Sequence, residues 1–416
     1  MTVANIISAI GNNRSIYPLL LRDCGIEVPS KIYVTRKENL KESKVKANDA
    51  TREKFIDEYA TSAVWLGGIP LTERIADKFI KSKKFNPDVN IKLFKEDKFQ
   101  GLNINIEKFK DLAPDAVEDL LKVQKNKKYY EKLIAGKFAA AVIIPTAIMG
   151  FVLPKLNFAL TRKIKSNRKS ANNNTILPSQ IPSMGSFMGG KKDVSFGSGF
   201  ISAIANLKTV DKMAITDGGL TVGRVTTSRN KDEAYVNAFR MLGSMFLNFI
   251  APIYIAKFLD KSANKLFGVN VDLDPLILDN KDFIQAIKND KIELPKSDSA
   301  KDIFEFLDTK RDSLFVKFAK DCKKVSYLEN GVRDPRKYVD VDSVAKFKKE
   351  FESFLEQAKK SKSIESFVKK AKYVKCANIL ANIGISSALL AFVLPLLQYQ
   401  FNKSVTGSYS DPGLRD

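Results

Sequence analysis

Histidine is absent from this chain of 416 residues. Without an imidazole there is no Ser-His-Asp or Cys-His catalysis, no histidine-ligated zinc and no side chain that ordinarily titrates near neutral pH. Cysteine is scarce as well, because the chain has three, Cys24, Cys322 and Cys376, scattered along its length. An odd and scattered set argues against a disulfide framework and favours a reducing compartment. We therefore predict a protein that is not an enzyme and that holds no cofactor and no metal.

Acidic residues are in deficit, since 47 Asp and Glu stand against 69 Lys and Arg, for a formal net charge of +22. Such a surplus suits an anionic partner, either the cytoplasmic face of a membrane or nucleic acid. Residues 162–230 hold 11 Lys or Arg and 3 Asp or Glu, which is more than a third of the surplus. Aromatic residues at base-stacking spacing are missing there, so nucleic acid is the less favoured partner.

Long apolar runs are few, and the longest one sets the fold class. Asn378–Phe401 has 24 residues without a charge, enough to cross a hydrocarbon core of about 30 Å as a helix. Two weaker runs are Phe138–Leu160, which contains Lys155, and Tyr235–Ala256, which contains Arg240. We predict a mainly α, membrane-associated helical protein with two or three proline-containing hydrophobic segments and charged helical regions between them.

The apolar runs share a short motif. Phe-Val-Leu-Pro occurs at 151–154 and again at 392–395, and a looser version, Phe-Ile-Ala-Pro, occurs at 249–252. Beyond the proline, Asn157 aligns with Gln398, Phe158 with Tyr399 and Arg162 with Lys403. The two closer copies favour a real repeat over a chance match among apolar segments. Because proline removes a backbone donor, it predicts bent or re-entrant segments rather than straight spans.

Composition divides the chain into seven regions. They are an N-terminal charged α(+β) region (1–130), hydrophobic segment 1 (131–161), a flexible cationic Gly/Ser-rich connection (162–233), hydrophobic segment 2 (234–262), a charged helical region (263–372), hydrophobic segment 3 (373–403) and a tail (404–416).

Local patterns predict several elements within these regions. Lys31–Thr35 suits a short strand and Asp88–Ile106 a hairpin, whereas Gly67-Gly68-Ile69-Pro70 predicts a kink or a break between two helices. Ser299–Asn330 has the stripe of one amphipathic helix. Gly185–Lys192 fits the G-x-x-x-x-G-K pattern of a phosphate loop, but Lys192 replaces the hydroxyl that binds magnesium, so we interpret it as a flexible loop. The glycines at 218, 219 and 223 are interpreted as turns.

The sequence favours a non-enzymatic, structural or scaffolding membrane protein that contacts anionic lipid and self-associates through its hydrophobic segments. The alternatives are a soluble helical protein that binds nucleic acid or an acidic protein, and a small transporter or channel with proline-broken helices. Four lysines precede the last segment and Lys403 follows it, which predicts the cytoplasmic membrane with most of the chain on the cytoplasmic side. The candidate membrane-contact residues are Phe151, Pro154, Lys155, Arg162, Lys163, Phe249, Pro252, Lys369, Lys370, Phe392 and Pro395.

Overall fold

The structure, a computed structural model, describes residues 3–11, 16–95, 97–172, 209–409 and 411–414. Within these ranges the chain is helical, and the β pairing is a single isolated bridge between Tyr327 and Arg333. The prediction of a mainly α protein is confirmed. Most of the helices belong to one bundle of six long helices, numbered here as bundle helices 1 to 6.

The first three bundle helices are each interrupted by one π-helical turn. Bundle helix 1 consists of Ile16–Arg22, the π turn Asp23–Glu27 and Val28–Leu40. Bundle helix 2 consists of Lys44–Ala63, the π turn Val64–Gly68 and Ile69–Ser82. Bundle helix 3 consists of Lys127–Ala147, the π turn Ile148–Val152 and Leu153–Asn172.

The last three bundle helices repeat this construction with one exception. Bundle helix 4, Thr209–Thr226, is uninterrupted. Bundle helix 5 consists of Lys231–Met245, the π turn Phe246–Ile250 and Ala251–Phe267. Bundle helix 6 consists of Ile364–Ala388, the π turn Leu389–Val393 and Leu394–Thr406.

Proline explains the π turns. Each of the five turns ends two residues before a proline, namely Pro29, Pro70, Pro154, Pro252 and Pro395. A proline inside a helix has no N–H to donate and its ring would collide with the carbonyl four residues earlier. The wider π turn makes room for the ring, so the helix continues with a local distortion instead of ending. The hydrophobic segments are therefore continuous helices, and the re-entrant alternative for 138–160 is not what forms.

The six bundle helices form a closed ring in chain order. Each packs against the next one, and bundle helix 6 returns to contact bundle helix 1. Bundle helices 1, 2 and 3 alternate in direction, as do 4, 5 and 6. Bundle helices 3 and 4 run parallel, since Thr146 lies beside Gly219 and Gly150 beside Gly223. Both halves of the chain thus have the same up-down-up order.

The Phe-Val-Leu-Pro motif occupies equivalent places in the two halves. In each half it lies in the third helix and forms the end of the π turn and the proline that follows. The first helices also correspond: Asp23-Cys24-Gly25-Ile26 matches Asp217-Gly218-Gly219-Leu220. Shared helix order and shared sequence at matching positions make the two halves an internal structural repeat.

Both halves carry an insertion between their second and third helices, at the same end of the bundle. The first insertion holds the 3-10 turn Ile91–Phe94 and the helices Leu102–Phe109 and Pro114–Lys125. The second holds Pro275–Leu278, Lys281–Lys288, Ala300–Thr309, Leu314–Asp321 and Val341–Lys360. The buried Gln100 amide joins them, because it donates to the Val339 carbonyl and accepts from the Val339 N–H, both at 2.8 Å. The insertions therefore form one domain, called here the end domain.

Phenylalanine dominates the core of the end domain. Phe283, Phe315 and Phe351 are fully buried and meet at centroid distances of 5.5–5.7 Å, edge to face. Arg333 is fully buried between the rings of Phe109 and Phe304 and pairs with Asp308 at 2.9 Å. This aromatic core contrasts with the bundle interior, which buries many charged side chains beside its apolar contacts.

Several local predictions were wrong. Lys31–Thr35 lies within bundle helix 1, and Asp88–Ile106 forms a 3-10 turn and the start of a helix rather than a hairpin. Five-residue alternation is too short to outweigh the packing of the surrounding helix. Ser299–Asn330 forms two helices that are separated at residues 310–313, because Ser313 caps the second one by accepting the Val316 N–H. The predicted kink at 67–70 is the second π turn.

The predicted flexible connection at 162–233 is wrong at both ends. Residues up to 172 continue bundle helix 3, and Thr209–Thr226 is a full bundle helix. Gly218, Gly219 and Gly223 are helical residues rather than turns, and two of them lie against the backbone or Thr146 of bundle helix 3. The G-x-x-x-x-G-K sequence at 185–192 lies outside the described residues.

Three of the described helices are long and apolar enough to cross a membrane. They are Lys127–Arg168, Lys231–Phe267 and Ile364–Thr406. Their most apolar stretches are mainly uncovered, with 22%, 11% and 33% of the residues buried. Large apolar side chains such as Ile143, Leu156 and Phe258 face outward. The interior combines a buried apolar cluster, which includes Ile69, Met149 and Leu220, with buried charged side chains. An apolar exterior around buried charges is the arrangement expected of a membrane-embedded bundle.

Candidate functional site

Two adjoining cavities lie inside the ring of bundle helices. The mid-level cavity, of about 70 Å³, is beside the π turns of bundle helices 1, 2 and 5 and is lined by Asp23, Trp65 and Asp217 among others. The outer cavity, of about 80 Å³, lies nearer the end opposite the end domain and includes Glu53, Arg229 and Asp411. Arg224 and Arg240 line both cavities. Each has room for only a few water molecules.

The lining is highly charged and has an excess of acid. Eight carboxyl groups and five cationic side chains line the two cavities: Asp23, Glu27, Glu53, Asp57, Glu58, Asp217, Glu233 and Asp411 against Lys31, Lys54, Arg224, Arg229 and Arg240. The formal excess is three negative charges. In a protein whose overall charge is +22, this acidic interior is a local feature that composition does not reveal.

Lys31, which lines the mid-level cavity together with Arg224 and Arg240, is shared by two glutamates. Its Nζ lies 2.5 Å from Glu27 Oε1 and 3.4 Å from Glu58 Oε2. Lys54 holds the other oxygen of Glu58 at 2.8 Å. All four side chains are largely buried. Burying these charges carries a large desolvation cost, which is offset only when each charged group is paired.

Arg224 joins the two halves across the interior. Its guanidinium donates to Asp57 Oδ2 at 2.5 Å and to Thr61 Oγ1 at 2.7 Å, so bundle helix 4 is held to bundle helix 2. Only 6% of the Arg224 side chain is exposed. Arg240 approaches the same Asp57 oxygen at 4.0 Å. The Asp57 carboxylate therefore lies between two arginines.

Arg229 makes the corresponding link at the outer cavity. It donates to Glu53 of bundle helix 2 at 3.2 Å and to Glu233 of bundle helix 5 at 2.8 Å. Its guanidinium also stacks 4.1 Å from the centroid of the Phe158 ring. Asp411 closes this end by accepting from Tyr399 at 3.4 Å.

Three lining side chains are left out of the close ion pairs. Within the described part of the chain, the carboxylate of Asp217 has neither a hydrogen bond nor an ion pair. The residue is nevertheless buried, since only 8% of its surface is exposed. One oxygen of Asp23, Oδ2, is buried without a hydrogen-bond partner. The nearest carboxylate to Arg240 is the Asp57 oxygen at 4.0 Å. These three groups are the least committed charges of the cavities.

Equivalent residues of the two halves line the same cavities. Asp23 and Asp217 both face the mid-level cavity. At the outer cavity, Asn157 and Phe158 of bundle helix 3 match Gln398 and Tyr399 of bundle helix 6, and Pro154 lines it directly. The cavities thus lie where the two repeats meet, the usual place of a solute site in repeat-built membrane proteins.

The candidate membrane-contact residues fall into two groups. Pro154, Pro252 and Pro395 are buried, and Phe151 and Phe249 are half-buried. The exposed ones are Lys155, Arg162, Lys163, Lys369, Lys370 and Phe392. Among the lysines, Lys370 donates to the Phe267 carbonyl at 2.8 Å. The three prolines are buried against neighbouring helices, and Pro154 lines the outer cavity. They therefore contribute to packing inside the bundle rather than to its outer surface.

Among the charged cavity residues, the sequence interpretation noted only Arg240, as an interruption of an apolar run. Pro154 and the aligned residues that follow it in each repeat were noted for their sequence match and not as the lining of a cavity. Most of the other charged cavity residues lie in bundle helices 1, 2 and 4, which are too charged to read as membrane segments. One signal was present: Asp-x-Gly followed by an aliphatic residue occurs at both Asp23 and Asp217.

The Cys322 thiol is not poised for reaction. Burial raises the pKa of the Cys322 thiol to about 11, with nearby Asp274 adding to the rise, so the thiol stays protonated at neutral pH. No cluster of three or more Asp, Glu or Cys side chains suited to a metal ion occurs in the described ranges.

Comparisons of this chain with protein-family models, with curated proteins and with solved structures found no match.

Proposed function

We propose that this protein is an integral membrane protein that binds a small ionic solute in the cavities of its bundle and carries it across the bilayer. The observation that carries the proposal is the combination of an apolar exterior with a buried, acid-rich interior at the junction of two repeats. Charged side chains inside a membrane bundle are costly and mark solute or ion pathways. A purely structural or scaffolding role would be served by an apolar interior.

Arg240 is the side chain that we assign to solute contact. It lines both cavities and its shortest ion pair among the described residues is 4.0 Å. A cation held this loosely can exchange a protein carboxylate for a solute. The tightly paired Arg224 and Arg229 position the helices instead.

The transport proposal is tested with purified protein in proteoliposomes. We expect uptake of a labelled ion from a panel of small inorganic and organic ions, and an uptake rate about tenfold lower for Arg240→Gln, since one charge contact is worth on the order of 1–2 kcal/mol. Lys346→Gln is the matched control, because that lysine is 79% exposed in the end domain. Protein that stays in the membrane fraction but moves no ion of any class would favour the scaffolding alternative.

We further propose that the bundle lies in the cytoplasmic membrane and that the end domain is on the cytoplasmic side. Lys369, Lys370 and Lys372 lie at its end of the bundle, where the positive-inside rule predicts the cytoplasm. Arg162 and Lys163, near the end of bundle helix 3, lie at the opposite end of the bundle. The odd and scattered set of three cysteines favours a reducing compartment, which fits the same side.

Cysteine labelling in intact cells tests this orientation. The starting variant has the three native cysteines replaced by serine. In it, Lys44→Cys marks the end of the bundle opposite the end domain and Lys346→Cys marks the end domain, both at exposed positions. A membrane-impermeant maleimide is expected to label Lys44→Cys in intact cells and Lys346→Cys only after lysis. The reverse pattern would place the end domain outside, and release of the chain by alkaline carbonate would contradict membrane integration.

A further inference from the structure

We propose that Asp23 and Asp217 share a proton inside the mid-level cavity and form a proton site at the junction of the two repeats. The inference deepens the proposed function and rests on it for the membrane setting of the cavity. The proton comes from bulk water on acidification and is returned on alkalinisation.

The positions of the two aspartates are equivalent by the internal repeat. Asp23 lies at the start of the π turn in bundle helix 1, and Asp217 lies at the matching point of bundle helix 4. Both line the same small cavity. The Asp217 residue is 92% buried, and its carboxylate meets no donor among the described residues. Asp23 keeps one buried oxygen without a hydrogen-bond partner.

Three of the four cations around this pair, Arg22, Lys31 and Arg224, are engaged by other partners, and the fourth, Arg240, has its shortest ion pair among the described residues at 4.0 Å from Asp57. The charged and titratable groups that face the pair or adjoin it are Arg22, Cys24, Glu27 and Lys31 of bundle helix 1, Glu58 of bundle helix 2, Arg224 of bundle helix 4 and Arg240 of bundle helix 5. Lys31 pairs with Glu27 and Glu58, Arg224 pairs with Asp57, and Arg22 donates to Asn248 at 2.6 Å. Of the residues described, bundle helices 3 and 6 add no charge to this lining.

A proton fits this site better than a metal ion does. Two carboxylates that line one small interior cavity cannot both remain charged at low cost, and sharing a proton is the usual solution. A metal ion would require several further anionic ligands. No group of three such ligands exists in the described ranges, and the remaining acids of the cavity are held by lysine or arginine.

The missing histidine makes the site measurable. Between about pH 5.5 and pH 7, a chain without histidine has no side chain that ordinarily titrates. We expect the wild-type protein in detergent to take up about one more proton per molecule over this interval than Asp217→Asn does. Asp23→Asn should lose the same proton, since the pair holds it jointly. Asp282→Asn, at an exposed position of the end domain, is the control and should match the wild type.

The single tryptophan provides an independent readout. Trp65 lines the same cavity, so its fluorescence should follow the proton uptake and lose its pH dependence in both aspartate variants. Unchanged uptake in Asp217→Asn and Asp23→Asn would overturn the proposal. A Trp65 response to sodium or potassium at fixed pH, with none to pH, would assign the site to an alkali-metal ion and overturn it too. Because this titration needs no membrane and no solute, its outcome is separate from that of the transport assay.

Discussion

Replacing Arg224 by leucine is expected to lower the free energy of unfolding by about 3–5 kcal/mol. The change removes the guanidinium that holds Asp57 at 2.5 Å and Thr61 at 2.7 Å. Among the described residues, the ion-pair partner left to the Asp57 carboxylate would be Arg240, at 4.0 Å. An uncompensated buried charge costs more than the pair contributes, because its desolvation is no longer offset. The measurement is denaturant unfolding in detergent micelles, followed by Trp65 fluorescence.

The double variant Arg224→Leu with Asp57→Leu separates a broken pair from lost packing. Removing both charges should recover most of the lost stability, since a buried ion pair is often replaceable by apolar side chains. Lys346→Leu is the control for a surface pair, because the Lys346–Glu350 distance is 3.8 Å on an exposed face, and it should change stability by about 0–1 kcal/mol. If the single and double variants lose the same free energy of unfolding, the loss does not come from leaving the Asp57 carboxylate without Arg224.

The parts of the fold that the sequence predicted are those with strong apolar signals. The apolar runs at 138–160, 235–256 and 378–401 are all bundle helices. The end-domain helix Val341–Lys360 also has its apolar residues at helical spacing, and Phe351 and Phe354 lie on its buried face. In these segments the helical period, the length and the final packing all agree, so local reasoning succeeds.

The charged bundle helices could not be predicted in the same way. Bundle helix 2 carries Asp49, Glu53, Asp57 and Glu58, which in isolation reads as a solvated helix. Its polar face is buried because it faces the interior of the ring, and its partners Arg224 and Arg229 lie more than 160 residues further on. Helical periodicity separates an apolar face from a polar face, and the polar face is normally assigned to solvent. In this bundle the polar face of bundle helix 2 points to the interior instead.

The internal repeat was partly visible in the sequence. The motif at 151–154 and 392–395 was recognised, but the match at Asp23 and Asp217 was hidden because proline follows in one half and glycine in the other. That difference has a structural consequence: bundle helix 1 contains a π turn and bundle helix 4 does not. The two halves are therefore alike in order and unlike in local geometry.

Gly223 replaces that proline, and its role is close packing between the two halves. A Cβ added to Gly223 would lie 2.7 Å from Gly150 Cα and 2.9 Å from the Gly150 carbonyl carbon. Those are backbone atoms and cannot move aside as the end of a flexible side chain can. Small residues at such crossings let membrane helices approach closely. The contact joins bundle helix 4 to bundle helix 3, where one repeat meets the other.

Gly223→Ala is accordingly expected to destabilise the protein by about 1–3 kcal/mol, because the added methyl group forces the two backbones apart. The same substitution at Gly136 is the matched control: that residue is also helical, and an added Cβ meets nothing within 4 Å. There alanine should stabilise by about 0.5–1 kcal/mol, since it has the better helix propensity. If alanine destabilises the protein at Gly223 and stabilises it at Gly136, the close contact between bundle helices 3 and 4 is the cause of the loss. A stabilising Gly223→Ala would mean that bundle helices 3 and 4 are not in contact, and the closed ring that encloses both cavities would then be wrong.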